Sequence, residues 1–188
     1  SYCFYGSKKH MMLEIFNDSQ KPFYRFSETM FLGKIARKDW VPFIVNGFSK
    51  TGKSISEDFS EKICQLAECH SWYLQQLSYF VWSDTESMVT EEIMTCAFRR
   101  VIDTNAPMFM SDVEKLTASQ REMLKAIIAG ERQLSSAGTR ERFRLGNLTT
   151  ITRNKRVLET KAFIDSNDGR LEVSDPIFRV WFKERYMA

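Results

Sequence analysis

Residues 116–186 constrain this chain most, because the signals of one complete supersecondary unit follow each other there in a set order. Thr117-Ala118-Ser119-Gln120 has the form of a capping box, in which the first and last side chains each take up an amide left over at a helix start. Met123, Leu124, Ile127 and Ile128 then recur at helical spacing, and Gly130 offers a left-handed stop. A brief helix from Thr139 through Phe143 and a tight turn at Leu145-Gly146-Asn147 lead to a third helix, expected to carry Leu148, Ile151 and Leu158 inward. Phe163-Ile164-Asp165 and Arg170-Leu171-Glu172-Val173 alternate as strands around Ser166-Asn167-Asp168-Gly169, whose residues tolerate the positive φ of a hairpin. Three helices followed by a hairpin predict a winged helix-turn-helix.

The rest of the chain reads as its mount. Residues 2–5 are expected as a short aromatic strand and residues 9–16 as a helix, with further extended pieces at 23–26 and 30–35. From Asp39, a candidate cap, Trp40, Ile44 and Phe48 repeat every four residues, with Pro42 tolerated as in a first turn and Gly52 closing the helix. Ser54-Ile55-Ser56-Glu57 is expected to open a second helix with Phe59, Ile63 and Leu66 on one face. Apolar helices follow at 72–82 and 91–103, and Pro107 is expected to mark a linker over residues 106–113. The expected fold is therefore mainly α (α+β): late core strands over 1–36, a helical lid over 37–106 and a winged helix over 107–188.

Bulk properties narrow the function classes. Of 188 residues, 43% are hydrophobic, enough for an ordinary core. No apolar run is long enough to span a bilayer, and Ser1-Tyr2-Cys3 does not begin a signal-peptide pattern, which points to the cytoplasm and away from membranes. Cys3, Cys64, Cys69 and Cys96 are spaced irregularly and read as reduced, buried thiols. The formal charge is only +3, yet between residues 117 and 161 ten basic residues face four glutamates, so the C-terminal unit is the positive end. Thr149, Thr150, Thr152, Arg153 and Arg156 lie off the apolar stripe of the third helix, where base edges and phosphates are met in a DNA-binding winged helix. Winged helices also contact proteins, so double-stranded DNA and a protein partner both remain open.

Two constellations are set aside. Gly47-Phe48-Ser49-Lys50-Thr51-Gly52-Lys53-Ser54 fits the phosphate-loop pattern residue for residue. That loop needs a strand before it, whereas Pro42 and the four-residue apolar spacing predict a helix, so the match reads as coincidence. Cys64, Cys69 and His70 suggest a metal site, but residues five apart on a helix differ by about 140° in direction. No metal is expected there, and no hydrolytic triad can be assembled from two histidines.

Five segments, in this order, carry a family resemblance: Tyr2-Cys3-Phe4-Tyr5-Gly6-Ser7, Phe23-Tyr24-Arg25, His70-Ser71-Trp72-Tyr73-Leu74-Gln75-Gln76-Leu77, Leu116-Thr117-Ala118-Ser119-Gln120 and Asp175-Pro176-Ile177-Phe178-Arg179-Val180-Trp181. Together they resemble the archaeal-type ATPases of the signal-transducing (STAND) branch of AAA-like P-loop ATPases. The resemblance implies the back half of a longer protein, with the ATPase core that holds ATP and Mg upstream. It implies that Ser7, Arg25 and His70 sense nucleotide, that the sequence here contains no catalytic residue, and that it neither holds a cofactor nor hydrolyses ATP alone. The family's lid motif usually has proline after the histidine, where this chain has Ser71, and its third winged helix is small and apolar where Asn154 and Lys155 stand here. The implied role is regulatory, coupling the ATP state of the full protein to DNA or a protein partner, with oligomerisation compatible. The alternative is a free-standing winged-helix transcriptional regulator whose helical region dimerises.

Overall fold

In a computed structural model of the chain, residues 2–6, 9–26, 28, 30, 32–167 and 169–187 are described, without the side chains of residues 9, 10, 11, 13 and 167. The chain divides into two units, Ser1–Lys34 and Ile35–Ala188.

The first unit holds one helix, α1 (Lys9–Asn17), where helical spacing predicts it. Phe16 is buried, and its ring lies 5.7 Å from that of Phe4 and 6.2 Å from that of Phe23. The expected strands are not formed among the described residues. Residues 23–26 are turns, in which the Tyr24 and Phe26 amides donate to the Lys21 and Phe23 carbonyls. Amides satisfied three residues back are not available to a ladder. Residues 2–6, 30 and 32–35 belong to no strand among the described residues, and an extended segment becomes a strand only in a ladder.

The second unit begins with α2 (Arg37–Ser49), α3 (Glu57–Leu66), α4 (Ser71–Asp84) and α5 (Glu91–Glu114). Trp40, Ile44 and Phe48 are the buried stripe of α2, as their spacing predicts. The N-cap is Ala36, not Asp39, and Pro42 stands in the second turn, inside the helix. Ser56 rather than Ser54 caps α3, its side chain accepting from the Phe59 amide, while Ser54 bridges to Met88. The linker expected around Pro107 is helix, since α5 runs unbroken through it. Proline in a helix interior costs roughly 3 kcal/mol. Past it, Phe109 and Val113 are 2% and 1% exposed, and burial is worth about 1.5–3 kcal/mol for each such side chain, which offsets that cost.

The winged helix follows as α6 (Ala118–Ile128), α7 (Ala137–Arg142), α8 (Leu148–Thr160), β1 (Ile164–Asn167), β2 (Arg170–Val173) and α9 (Pro176–Tyr186). The capping box is present in both directions: Gln120 N–H donates to Thr117 Oγ1 (3.3 Å) and Thr117 N–H to Gln120 Oε1 (3.0 Å). The strands pair antiparallel, Ile164 opposite Val173 and Asp165 opposite Glu172. Ile164 and Val173 are buried, while Asp165 and Glu172 are exposed. One continuous core, from Trp40 to Phe182, serves α2 to α5 and the winged helix together. The fold is thus mainly α, with nine helices and one two-stranded sheet among the described residues. No described helix is long and apolar enough to cross a membrane.

Candidate functional site

The presentation of α8 is set by its two ends and one buried amide. Gly146 turns with φ +78°, and Asn147 caps the helix, its side-chain oxygen accepting from the Thr150 amide at 2.9 Å. Ile151 and Leu158 face the core as expected. Leu148, expected inward, is 56% exposed because it opens the first turn, outside the buried stripe. Asn154 is buried and donates through Nδ2 to Ser119 Oγ on α6 at 2.7 Å. This polar pair fixes α8 against α6, and leaving either partner alone would be costly.

The opposite face follows from that anchoring. Thr149, Thr152, Arg153 and Arg156 are exposed and stand at positions i, i+3, i+4 and i+7, one continuous stripe. Thr150 is half-buried, and its amide is taken by the cap. Thr152 donates its hydroxyl to the Leu148 carbonyl at 3.0 Å. Lys155 leans toward Glu159 (3.7 Å), whereas Arg153 and Arg156 have no ion pair among the described residues. The hairpin offers a different surface. Asp165 and Glu172 stand directly opposite each other on its outward face, and exposed Arg170, two residues from Glu172, shares that face, so its charges are mixed.

A second constellation lies on α9. Asp175 caps it, Oδ1 accepting from the Ile177 and Phe178 amides at 2.9 and 2.8 Å, with Pro176 in the first turn. Its other oxygen accepts from the Tyr73 hydroxyl of α4. Burial, and then the bond to Asp175, pushes the Tyr73 phenol well above the usual tyrosine range. Glu68 pairs with Arg179, and Arg99 grips Glu184 at 2.8 and 3.1 Å. Phe109 of α5 packs on Phe178 and Trp181 with ring centroids 5.4 and 5.5 Å away. The signal for Asp175 was present in the sequence as an Asp-Pro helix start; its partner Tyr73, 102 residues away, had none.

His70 precedes α4 at its N-cap position without capping it. Its ring lies 5.0 Å from that of Tyr73, and its enclosed Nδ1 has no hydrogen-bond partner among the described residues. Enclosed polar atoms are nearly always paired, so this one has unused capacity. Arg25 belongs to the first unit, where it is exposed, has φ 54°, donates its amide to the Phe16 carbonyl and lies 5.1 Å from the Tyr24 ring. Ser7 lies outside the described residues.

Residues 47–54 do not form a phosphate cradle. Residues 47–49 complete α2, and the amides of Lys50, Thr51, Gly52, Lys53 and Ser54 donate to the Asn46, Phe48, Ser49, Phe48 and Ser87 carbonyls. Lys53 donates its ammonium to the Trp82 carbonyl at 2.6 Å and sits 4.4 Å from the Trp82 ring. A phosphate loop needs just those donors unspent, with a strand behind them. Among the described residues no group of three or more His, Cys, Asp or Glu could hold a metal ion. Of the cysteines, Cys64 is buried, but Cys3 and Cys96 are exposed, against the expectation of burial, and Cys69 is intermediate.

Comparison with known proteins agrees with this architecture. Residues 107–184 match the family model of a probable winged helix domain. No curated protein matches the chain by sequence. The Walker-type ATPase Paby2304 of Pyrococcus abyssi has a similar structure, with a TM-score of 0.68 at 16% identity over 93% of this chain and 49% of that one. At that identity the likeness is one of fold, and this chain spans about half the length of the ATPase. The C-terminal part of the chain is a winged helix, mounted on helices arranged as in part of a Walker-type ATPase.

Proposed function

We propose that the chain is the lid and winged-helix part of a STAND-type, AAA-like ATPase, and that its winged helix delivers the output by binding duplex DNA along the exposed stripe of α8. The observation that carries the DNA reading is the pair Arg153 and Arg156, exposed and without an ion pair among the described residues, on a helix whose far side is locked by Asn154. Guanidinium groups without internal carboxylates can take phosphates or guanine edges, and Thr149 and Thr152 can hydrogen-bond beside them.

In this reading ATP and Mg are held by a phosphate loop outside this sequence, consistent with the spent donors of residues 47–54. Ser7, Arg25 and His70 sense that nucleotide, and the unpartnered Nδ1 of His70 supports its share of the role. His70 also packs on Tyr73, which is bonded to the cap of α9, so a change at the histidine has a short route to the winged helix. ATP turnover by this chain alone, abolished in Lys53→Ala, would contradict the division of labour.

The DNA reading is tested by fluorescence anisotropy of a labelled duplex across a salt series. The logarithm of the association constant should fall linearly with the logarithm of salt, and Arg153→Ala/Arg156→Ala should make that slope shallower by about 2. Absence of binding at low salt would turn the reading toward a protein partner.

A further inference from the structure

Helical spacing holds Cys64 and Cys69 apart, but the end of α3 departs from the helix and brings them together. The Glu68 amide donates to the Gln65 carbonyl at 3.1 Å and the Cys69 amide to the Cys64 carbonyl at 2.9 Å. Glu68 and Cys69 are both left-handed, with φ of 47° and 53°. These paired bonds make a Schellman closure, in which the second residue past the helix end rests against a residue of the last turn. In most helices that contact is between two apolar side chains; here both positions are cysteine. The Cys69 sulfur lies 3.8 Å from the Cys64 carbonyl oxygen. The backbone bond between them draws the two residues together, the close approach that a disulfide requires.

We propose that Cys64 and Cys69 are a redox pair, a dithiol that a hydroperoxide converts to a disulfide locking the turn between α3 and α4. Cys69, partly accessible, meets the oxidant first. Its thiolate attacks one peroxide oxygen; an S–O bond forms, the O–O bond breaks, and the other oxygen leaves as water or alcohol after taking a proton. The sulfur of Cys64 then displaces the hydroxyl of the Cys69 sulfenic acid; the S–S bond forms, the S–O bond breaks, and the hydroxyl leaves with the Cys64 proton as water. The two sulfurs together give up two electrons, which reduce the peroxide. Burial, and then the neighbouring Cys69, pushes the Cys64 thiol up to about 11, which keeps it protonated and leaves the first step to Cys69. Glu68 stands inside the closed loop and pairs with Arg179 of α9, so the bond would stiffen a turn that touches the winged helix. The pair is independent of the nucleotide and DNA readings, since it rests on the turn alone.

The test uses the full chain carrying Cys3→Ser and Cys96→Ser, both exposed positions, so that the pair alone remains. After hydrogen peroxide, unfolding and alkylation, intact mass spectrometry should show a chain lighter by two hydrogens with no alkylated thiol, and dithiothreitol should restore both alkylations. In Cys64→Ser on the same background, a sulfenic acid should accumulate on Cys69 and be trapped by dimedone. Amide exchange over residues 67–70 should slow in the oxidised chain. The proposal is overturned if Cys69 advances to sulfinic acid while Cys64 stays alkylatable. It is equally overturned if both thiols survive peroxide that oxidises Cys3 or Cys96 in the parent chain.

Discussion

The winged helix has two faces that differ in nearly every respect. On the α9 side, Phe178 and Trp181 meet Phe109, Asp175 meets Tyr73, and Arg179 and Glu184 meet Glu68 and Arg99. On the α8 side, Thr149, Thr152, Arg153 and Arg156 are exposed, and neither arginine has an ion pair among the described residues. The same small domain therefore spends one face on attachment and leaves the other exposed. Substitutions on the two faces should separate stability from binding.

The largest effect is expected from Phe178→Ala, which empties the centre of an aromatic cluster whose rings lie 5.4–5.8 Å away. Denaturant unfolding should show a loss of about 3–5 kcal/mol. Asp175→Ala removes the α9 cap and strands the buried Tyr73 hydroxyl, for a loss of about 2–4 kcal/mol in the same measurement. Tyr73→Phe leaves the cap intact and should cost about 1–2 kcal/mol. If these two variants proved equal, the cap would not be the anchor.

Alkaline pH probes the same bond. The Tyr73 phenol is raised in the folded chain, so the folded state holds a proton that the unfolded state releases. Its contribution is complete below the ordinary tyrosine value, about 10, and declines as pH rises beyond it. Stability should begin to fall above that point, and Tyr73→Phe should remove this part of the decline. The smallest effect on stability belongs to the other face. Arg153→Ala/Arg156→Ala should stay within about 0.5 kcal/mol of the parent, because neither guanidinium has an internal partner to lose.

What could be read from the residues follows a physical division. The winged helix was legible because its punctuation is local: Thr117 and Gln120 cap each other, Gly130 turns with φ +86°, and Asn147 starts α8. The strands expected near the start were not, because pairing depends on distant backbone that aromatic residues alone do not specify. Pro107 misled for the converse reason, since burial of Phe109 and Val113 beyond it outweighs its local effect. The stripe of α8 came out of helical spacing except at Thr150, which the cap draws inward. Cys64 and Cys69 were judged on an unbroken helix, and no glycine or asparagine announced the left-handed turn that joins them. The bond from Tyr73 to Asp175 joins residues 102 apart, a distance over which one sequence carries no pairing signal.

The division of labour between the two faces is tested most directly by amide hydrogen exchange with and without a saturating DNA duplex. The account predicts new protection across α8, in residues 148–157, with α9 and the Tyr73 region of α4 unchanged. Protection confined to α9 or α4, with α8 exchanging as freely as in the unbound chain, would contradict it.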